Sequence, residues 1–117
     1  MDFYSKCAFI AFLFLILLNT TTAQKRGVIS GFVFNGETRE PLIGVNVFIS
    51  GTLWGASTDS KGYFQIKNVI PGNHVVVASM VGYESQTYNV ELHKGENSRL
   101  NFHLNQAVYN IDEINIV

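Results

Sequence analysis

The first residues of this chain that could do chemistry are a histidine and a glutamate three positions apart, His93 and Glu96 in the stretch H-K-G-E. This spacing occurs at catalytic zinc sites, where three protein ligands leave one coordination position open. Only His103 follows further along the chain, and no catalytic acid accompanies it. Because the stretch contains Gly95 and reads as a turn, we predict a solvated turn and no metal site.

Other reaction chemistries lack the set of residues that they need. The stretch D-S-K-G at 59–62 supplies one carboxylate, Asp59, whereas a calcium loop needs several oxygen ligands and a distal bidentate glutamate. It is typical of a hairpin turn in which Gly62 takes a positive φ. No serine lies in a G-x-S-x-G context, and no phosphate-binding glycine loop opens a helix. We therefore predict no catalytic residue, no cofactor and no enzymatic activity.

Aromatic side chains are the remaining candidates for binding. Trp54, Tyr63, Tyr83 and Tyr88 could form a platform on which the flat faces of sugars stack. In all-β domains such rings more often pack in the core or against a hairpin. Both interpretations stay open, and Trp54 and Tyr83 are the candidate ligand-binding residues for a glycan.

Short β-strands are the elements that would position these residues. Val45, Val47 and Ile49 alternate with Asn46, Phe48 and Ser50, which is the two-residue period of a strand. The same alternation recurs at 64–66, 85–92 and 100–104, and turn residues follow every eight to twelve positions. The run H-V-V-V-A-S-M-V at 74–81 predicts a strand covered on both faces. No helical apolar stripe persists, so the pattern indicates an antiparallel sandwich of two sheets.

The first predicted strand, 28–35, leaves one question open. Val28, Phe32 and Phe34 compete with Ile29 and Val33 for the inward face. A glycine at position 31 inside this strand indicates a bulge or a close backbone approach.

The first 23 residues have the order of a secretory signal peptide. Lys6 precedes an unbroken apolar run at 8–18, and small residues follow, with Thr21 and Ala23 placed for cleavage. The apolar run is shorter than the roughly 20 residues that cross a bilayer. Cleavage after Ala23 also removes Cys7, the single cysteine, so the mature chain has no disulfide and no membrane span. The formal net charge is -1 with scattered charges, which argues against a nucleic-acid partner.

Four motifs in order resemble the carboxypeptidase-regulatory-like domain: E-P-L-I-G-V-N-V-F-I-S-G-T at 40–52, S-T-D-S-K-G-Y-F-Q-I at 57–66, P-G-N-H at 71–74 and V-G-Y-E at 81–84. The resemblance covers residues 27–104. It implies a Greek-key sandwich of seven or eight strands, of the prealbumin (transthyretin) type, over residues 24–106. It also implies an accessory domain without catalysis, because the domain accompanies metallocarboxypeptidases but does not carry out their reaction.

Domains that resemble this one commonly precede the plug and barrel of SusC-type TonB-dependent outer-membrane receptors in the Bacteroidota. The extended tail at 107–117 contains I-D-E-I-N-I-V, which is similar to a TonB box written L-D-E-V-V-V, and it departs from that box at one apolar position. The candidate partner-binding residues are Ile111, Asp112, Glu113, Ile114, Asn115, Ile116 and Val117. The resemblance implies a TonB-like energy-coupling protein or the receptor plug and barrel as partner, on the periplasmic face of the outer membrane. The same segment could instead be an edge strand of the sandwich.

Two organisations and two functions follow from these patterns. The chain is either the front end of a longer receptor or a free-standing periplasmic module. Its function is docking or coupling in a receptor, or, as the alternative, carbohydrate binding by a stand-alone exported sandwich.

The predicted signal peptide has a direct test. We expect the protein exported by a Gram-negative host to begin at Gln24. Signal peptidase requires small residues just before the cleaved bond, and Thr21 and Ala23 supply them. Intact mass spectrometry of the exported protein measures this. An Ala23→Glu variant is expected to stay unprocessed, and wild-type protein that retains Met1 would contradict the prediction.

Overall fold

The computed structural model describes residues 6–8 and 25–108, and the second range contains seven β-strands in two sheets. The strands are β1 (Gly27–Asn35), β2 (Asn46–Ile49), β3 (Gly55–Ser57), β4 (Tyr63–Val69), β5 (Gly72–Ser79), β6 (Gln86–Leu92) and β7 (Asn97–Leu104). One sheet has the order β4-β1-β7 and the other the order β3-β2-β5-β6. The predicted all-β sandwich of two sheets is confirmed. Most of the predicted signal peptide and the segment 111–117 lie outside the described residues.

The pairing of β1 with β7 differs from the expected wholly antiparallel arrangement. These two strands run parallel, in a continuous register from Val28 opposite Asn97 to Asn35 opposite Leu104. The other paired strands are antiparallel. Short turns fix the relative direction of strands that are neighbours in sequence. β7 pairs with a strand from the other end of the fold, so no turn signal in the sequence reports its direction.

The core lies between the two sheets and is built from alternate residues of the strands. Val45, just before β2, and Val47 and Ile49 within it are at most 1% exposed and lie in the core, as their alternation predicts. On β1, Ile29 and Val33 are fully buried, which settles the question of its inward face. Each fully buried aliphatic side chain contributes about 1.5–3 kcal/mol to folding.

Strand β5 does not have the two covered faces that its apolar run predicts. Val76 and Ala78 are fully buried, but Val75 is 40% exposed and Val81, beyond the strand, is 98% exposed. The four-stranded sheet has the core on one side only. Valine is favoured in strands for its fit to a pleated surface as well as for its burial, so an apolar run alone overestimates coverage.

The turn at 59–62 is present, but it is not a hairpin. The Oδ1 atom of Asp59 accepts hydrogen bonds from the N–H groups of Lys61 and Tyr63, both at 2.9 Å, and Gly62 has a φ of 76°. The carboxylate is thus part of the turn itself. The strands that it joins, β3 and β4, lie in different sheets, because β3 pairs with β2 and β4 pairs with β1.

Thr58, just before this turn, is a buried polar residue that ties two chain segments together. Its side chain is 4% exposed. The hydroxyl Oγ1 donates to the carbonyl of Leu42 at 2.6 Å and accepts from the N–H of Val45 at 2.9 Å. One hydroxyl therefore satisfies a backbone donor and a backbone acceptor at the entrance to β2.

Gly31 lies at a close backbone approach between β1 and β7. A β-carbon at this position would overlap the carbonyl oxygen of Leu100 and lie 2.6 Å from its carbonyl carbon. The close backbone approach predicted for this glycine is confirmed. The register shift of β1 against β4 occurs earlier, between Gly27 and Ile29.

Replacing Thr58 by valine is expected to destabilise the fold by about 1–3 kcal/mol, because two buried backbone groups lose their partner. Urea unfolding of the 24–117 chain measures the free energy of unfolding. Thr58→Ser is the matched control, since it keeps the hydroxyl, and it should retain most of the stability. Equal stability of Thr58→Val and wild type would contradict this role.

Gly31→Ala is expected to cost about 1–3 kcal/mol or more, because the methyl group forces β1 away from the backbone of β7. Gly36→Ala is the control: its β-carbon would meet mainly the flexible side chain of Asn105, so a loss below about 1 kcal/mol is expected. The same unfolding measurement compares the two variants. The close-approach argument fails if both alanines are tolerated alike.

Candidate interaction surfaces

The chain leaves the sandwich at a defined place after β7. The N–H of Glu84 donates to the carbonyl of Asn105 at 2.8 Å, and the N–H of Ala107 donates to the carbonyl of Gly82 at 2.9 Å. An antiparallel bridge between Tyr83 and Gln106 completes this contact. Residues 105–107 are thereby bonded along the connection between β5 and β6. The segment 111–117 begins four residues beyond the last of these bonds, and its role in partner binding stays a prediction.

The structure gives Trp54 and Tyr83 different surroundings. Trp54 lies in the turn between β2 and β3 and is 36% exposed, next to a fully exposed Leu53. Tyr83 lies in the connection between β5 and β6, where it is half-buried against the core. Its hydroxyl is 3.5 Å from the Nδ2 atom of Asn35 at the end of β1. Trp54 is thus a surface ring and Tyr83 a packed one, and their binding of a ligand stays a prediction.

Four rings on the outer side of the three-stranded sheet form a row, and of these the sequence indicated only Tyr63 as a candidate sugar-binding ring. Phe32 stands 5.3 Å from Tyr63 and 6.0 Å from Phe34, measured between ring centroids, and Phe34 stands 5.7 Å from His103. The strand register causes this arrangement, since it places Tyr63 opposite Phe32 and His103 opposite Phe34. The F-V-F pattern of β1 was the available signal. It did not reveal which strands would flank β1.

Polar side chains continue this surface on both sides of the rings. Register places Arg99 beside Ser30 and Asn101 beside Phe32. The Oδ1 atom of Asn101 accepts a hydrogen bond from the N–H of Phe32 at 3.2 Å. This bond does not use the two N–H donors of the Asn101 side-chain amide. A shallow recess of about 420 Å³ is lined by residues that include Phe32, Tyr63, Arg99 and Asn101. We call the surface of Phe32, Phe34, Tyr63, Arg99, Asn101 and His103 the aromatic face.

The histidine and glutamate that suggested zinc lie in the turn between β6 and β7. The carboxylate of Glu96 accepts a hydrogen bond from the backbone N–H of His93 at 2.8 Å, so it closes the turn. His103 belongs to the aromatic face, where its ring stacks on Phe34. Within residues 6–8 and 25–108, no group of three histidine, cysteine, aspartate or glutamate side chains could hold a metal ion. Over the same residues, no helix has the length and apolar character needed to cross a membrane.

Comparison with curated proteins finds two bacterial receptors. The TonB-dependent receptor P39 of Formosa agariphila is 28% identical over 116 residues, which is 95% of this chain and 11% of the receptor. The TonB-dependent receptor SusC of Bacteroides thetaiotaomicron is 34% identical over 71 residues, which is 61% of this chain and 7% of the receptor. The chain thus spans about a tenth or less of the length of these relatives, within their N-terminal region.

Comparison with solved structures supports the fold alone. The Bacillus anthracis TIE protein aligns with a TM-score of 0.58 at 20% identity, over 71% of this chain and 17% of that chain.

The model of one protein family, described as the CarboxypepD_reg-like domain, matches residues 29–116. This match spans most of the chain and includes the four motifs in which the resemblance was first visible. It agrees with the two-sheet sandwich and with the similarity to both receptors. The chain belongs to the carboxypeptidase-regulatory-like (CarboxypepD_reg-like) domain family.

Proposed function

We propose that this chain is a non-enzymatic interaction domain of an exported TonB-dependent receptor, acting on the periplasmic face of the outer membrane. Its role would be docking or energy coupling, with residues 111–117 as the contact segment. One observation carries the proposal: the similarity to a TonB-dependent receptor extends over 95% of the chain. The family match likewise continues to residue 116, so it includes all but the last residue of the proposed contact segment.

The way in which the chain leaves the sandwich supports a tethered contact segment. Two backbone hydrogen bonds, from Glu84 to Asn105 and from Ala107 to Gly82, fasten the chain just before the segment begins. The next residue, Val108, is 89% exposed. A force applied to the contact segment would therefore load these bonds first, and through them the sandwich. Such an attachment suits a domain that couples a partner's movement to a larger receptor.

The composition of the contact segment suits the addition of a strand to a partner's sheet. Ile111, Ile114 and Ile116 would supply apolar side chains to such an added strand. In strand addition, backbone hydrogen bonds supply affinity and alternate side chains enter pockets of the partner. Asp112 and Glu113 would favour a basic partner surface, because complementary charges accelerate encounter. Binding by strand addition requires no catalytic residue in the segment.

The test is binding of the 24–117 chain to the periplasmic C-terminal domain of a TonB-like protein from the same organism. Ile114→Pro should weaken binding at least about tenfold, because proline removes a backbone donor from the added strand. Ile114→Ala is the matched control: it keeps the donor and should weaken binding less. Isothermal titration calorimetry gives the dissociation constants. Unchanged binding after deletion of residues 109–117 would refute the contact segment.

The same deletion separates the proposal from the alternative of an edge strand. A contact segment contributes nothing to the sandwich, so its loss should leave the free energy of unfolding within about 0.5 kcal/mol of wild type. A large loss of stability in urea would assign residues 111–117 to the sandwich instead.

A further inference from the structure

The aromatic face stands apart from the contact segment and has no part in the proposed coupling. It lies on the side of the β4-β1-β7 sheet that faces away from the core. Phe32 at its centre is 38% exposed, although a phenylalanine in a small domain is normally buried. One exposed ring, Phe32, flanked by the half-buried rings of Phe34 and Tyr63 and bordered by polar groups, indicates a binding surface.

The charged side chains on this side of the sheet are all positive. By strand alternation, the outward residues of β4 and β7 include Lys67 and Arg99, which are cationic. No aspartate or glutamate occurs among the outward residues of β1, β4 and β7. The chain as a whole has a net charge of -1, so its acidic residues are concentrated elsewhere. A ligand of complementary charge is therefore anionic.

The recess has room for a small ligand. Its volume of about 420 Å³ lies in the range of roughly 300–1,000 Å³ that is typical of small-molecule sites. Two other recesses of the domain have similar volumes, about 360 and 480 Å³, so the rings and Arg99 distinguish this one rather than its volume. Two cations are few for a nucleic acid, whose affinity comes mainly from neutralised phosphates.

Ring and guanidinium together point to one class of ligand. The faces of Phe32 and Tyr63 can stack on the apolar C–H faces of pyranose rings, which hydrogen-bonding donors then orient. The guanidinium of Arg99 has a planar fork that matches a carboxylate in two parallel hydrogen bonds. The amide donors of Asn101, beside Phe32, can bind hydroxyl groups. A flat molecule with both hydroxyls and carboxylates satisfies all of these groups.

We propose that the aromatic face binds an acidic oligosaccharide, one whose sugar units carry carboxylate groups. Phe32 and Tyr63 stack on neighbouring sugar rings, Arg99 pairs with a carboxylate, and Asn101 donates to hydroxyls. This site goes beyond the proposed coupling function and does not depend on it, because the contact segment contributes no residue to the face. It shares only Tyr63 with the platform of Trp54, Tyr63, Tyr83 and Tyr88 that the sequence left open.

Hexagalacturonate is the probe, titrated calorimetrically into the 24–117 chain, whose sandwich has its own core. We expect a dissociation constant below about 1 mM, weakened about tenfold or more by Phe32→Ala and by Arg99→Gln. Phe32→Tyr should bind nearly as wild type, since it keeps the ring, and Arg99→Lys should fall between, since it keeps only the charge. Leu53→Ala is the control: this fully exposed side chain lies between β2 and β3 of the other sheet, and its loss should leave the affinity unchanged. Added salt should weaken binding, because the Arg99 pair is near the surface.

Each of several results would overturn this proposal. The first is no heat at millimolar hexagalacturonate. The second is equal affinity for neutral cellohexaose together with no effect of Arg99→Gln. The third is a loss of binding by Leu53→Ala as large as that by Phe32→Ala. Tighter binding of a dT hexamer would show a general polyanion surface. A dimer of the chain that Phe32→Ala dissociates would assign the face to a second copy. Thermal unfolding of each variant checks that it is folded. If Phe32→Ala fails to fold, Arg99→Gln still tests the proposal, because Arg99 is exposed and its replacement should not affect folding.

Discussion

The contact between β1 and its two neighbours is the constraint on which the rest of the structure depends. β1 is hydrogen-bonded on both edges, antiparallel to β4 and parallel to β7. Gly31 permits this, because any side chain at that position would occupy the space of the Leu100 backbone. Without this close approach, the last strand could not complete the three-stranded sheet. Phe102 and Leu104, which are fully buried on β7, would then lose their place in the core.

The two faces of β1 contribute to different parts of the molecule, the core and the aromatic face. The inward residues Ile29 and Val33 close the sandwich, and the outward residues Phe32 and Phe34 begin the aromatic face. Both sets are apolar, so hydrophobicity does not distinguish them. The flanking strands determine which set is buried. The inward set lies on the same side of the sheet as Phe64 and Phe102, whereas Tyr63 and His103 lie beside the outward set. The core and the proposed binding surface are thus separated by the two-residue period of side chains along one strand.

Local patterns in the sequence predicted what depends on local interactions. The alternation of Val45, Val47 and Ile49 gave a correct inward face, and the turn at Asp59 formed with Gly62 at positive φ. Features that depend on distant pairing escaped prediction. The parallel direction of β7, the connection of β3 to β4 across sheets and the open outer face of β5 all follow from which strands meet. The aromatic face escaped for the same reason, because its rings come from three strands that are separated in sequence.

Strand β7 joins the two proposed sites physically. It carries Arg99 and Asn101 on its outward side, and the chain that follows it leads through the bonds to Gly82 and Glu84 toward the contact segment. A ligand that touches both Phe32 and Arg99 bridges β1 and β7, and binding to the folded state alone stabilises that state. Tension on the contact segment acts on the same strand pair from its end. A bound ligand would therefore stabilise the β1–β7 pair, whereas the bonds at Gly82 and Glu84 that tension loads first lie outside its contacts.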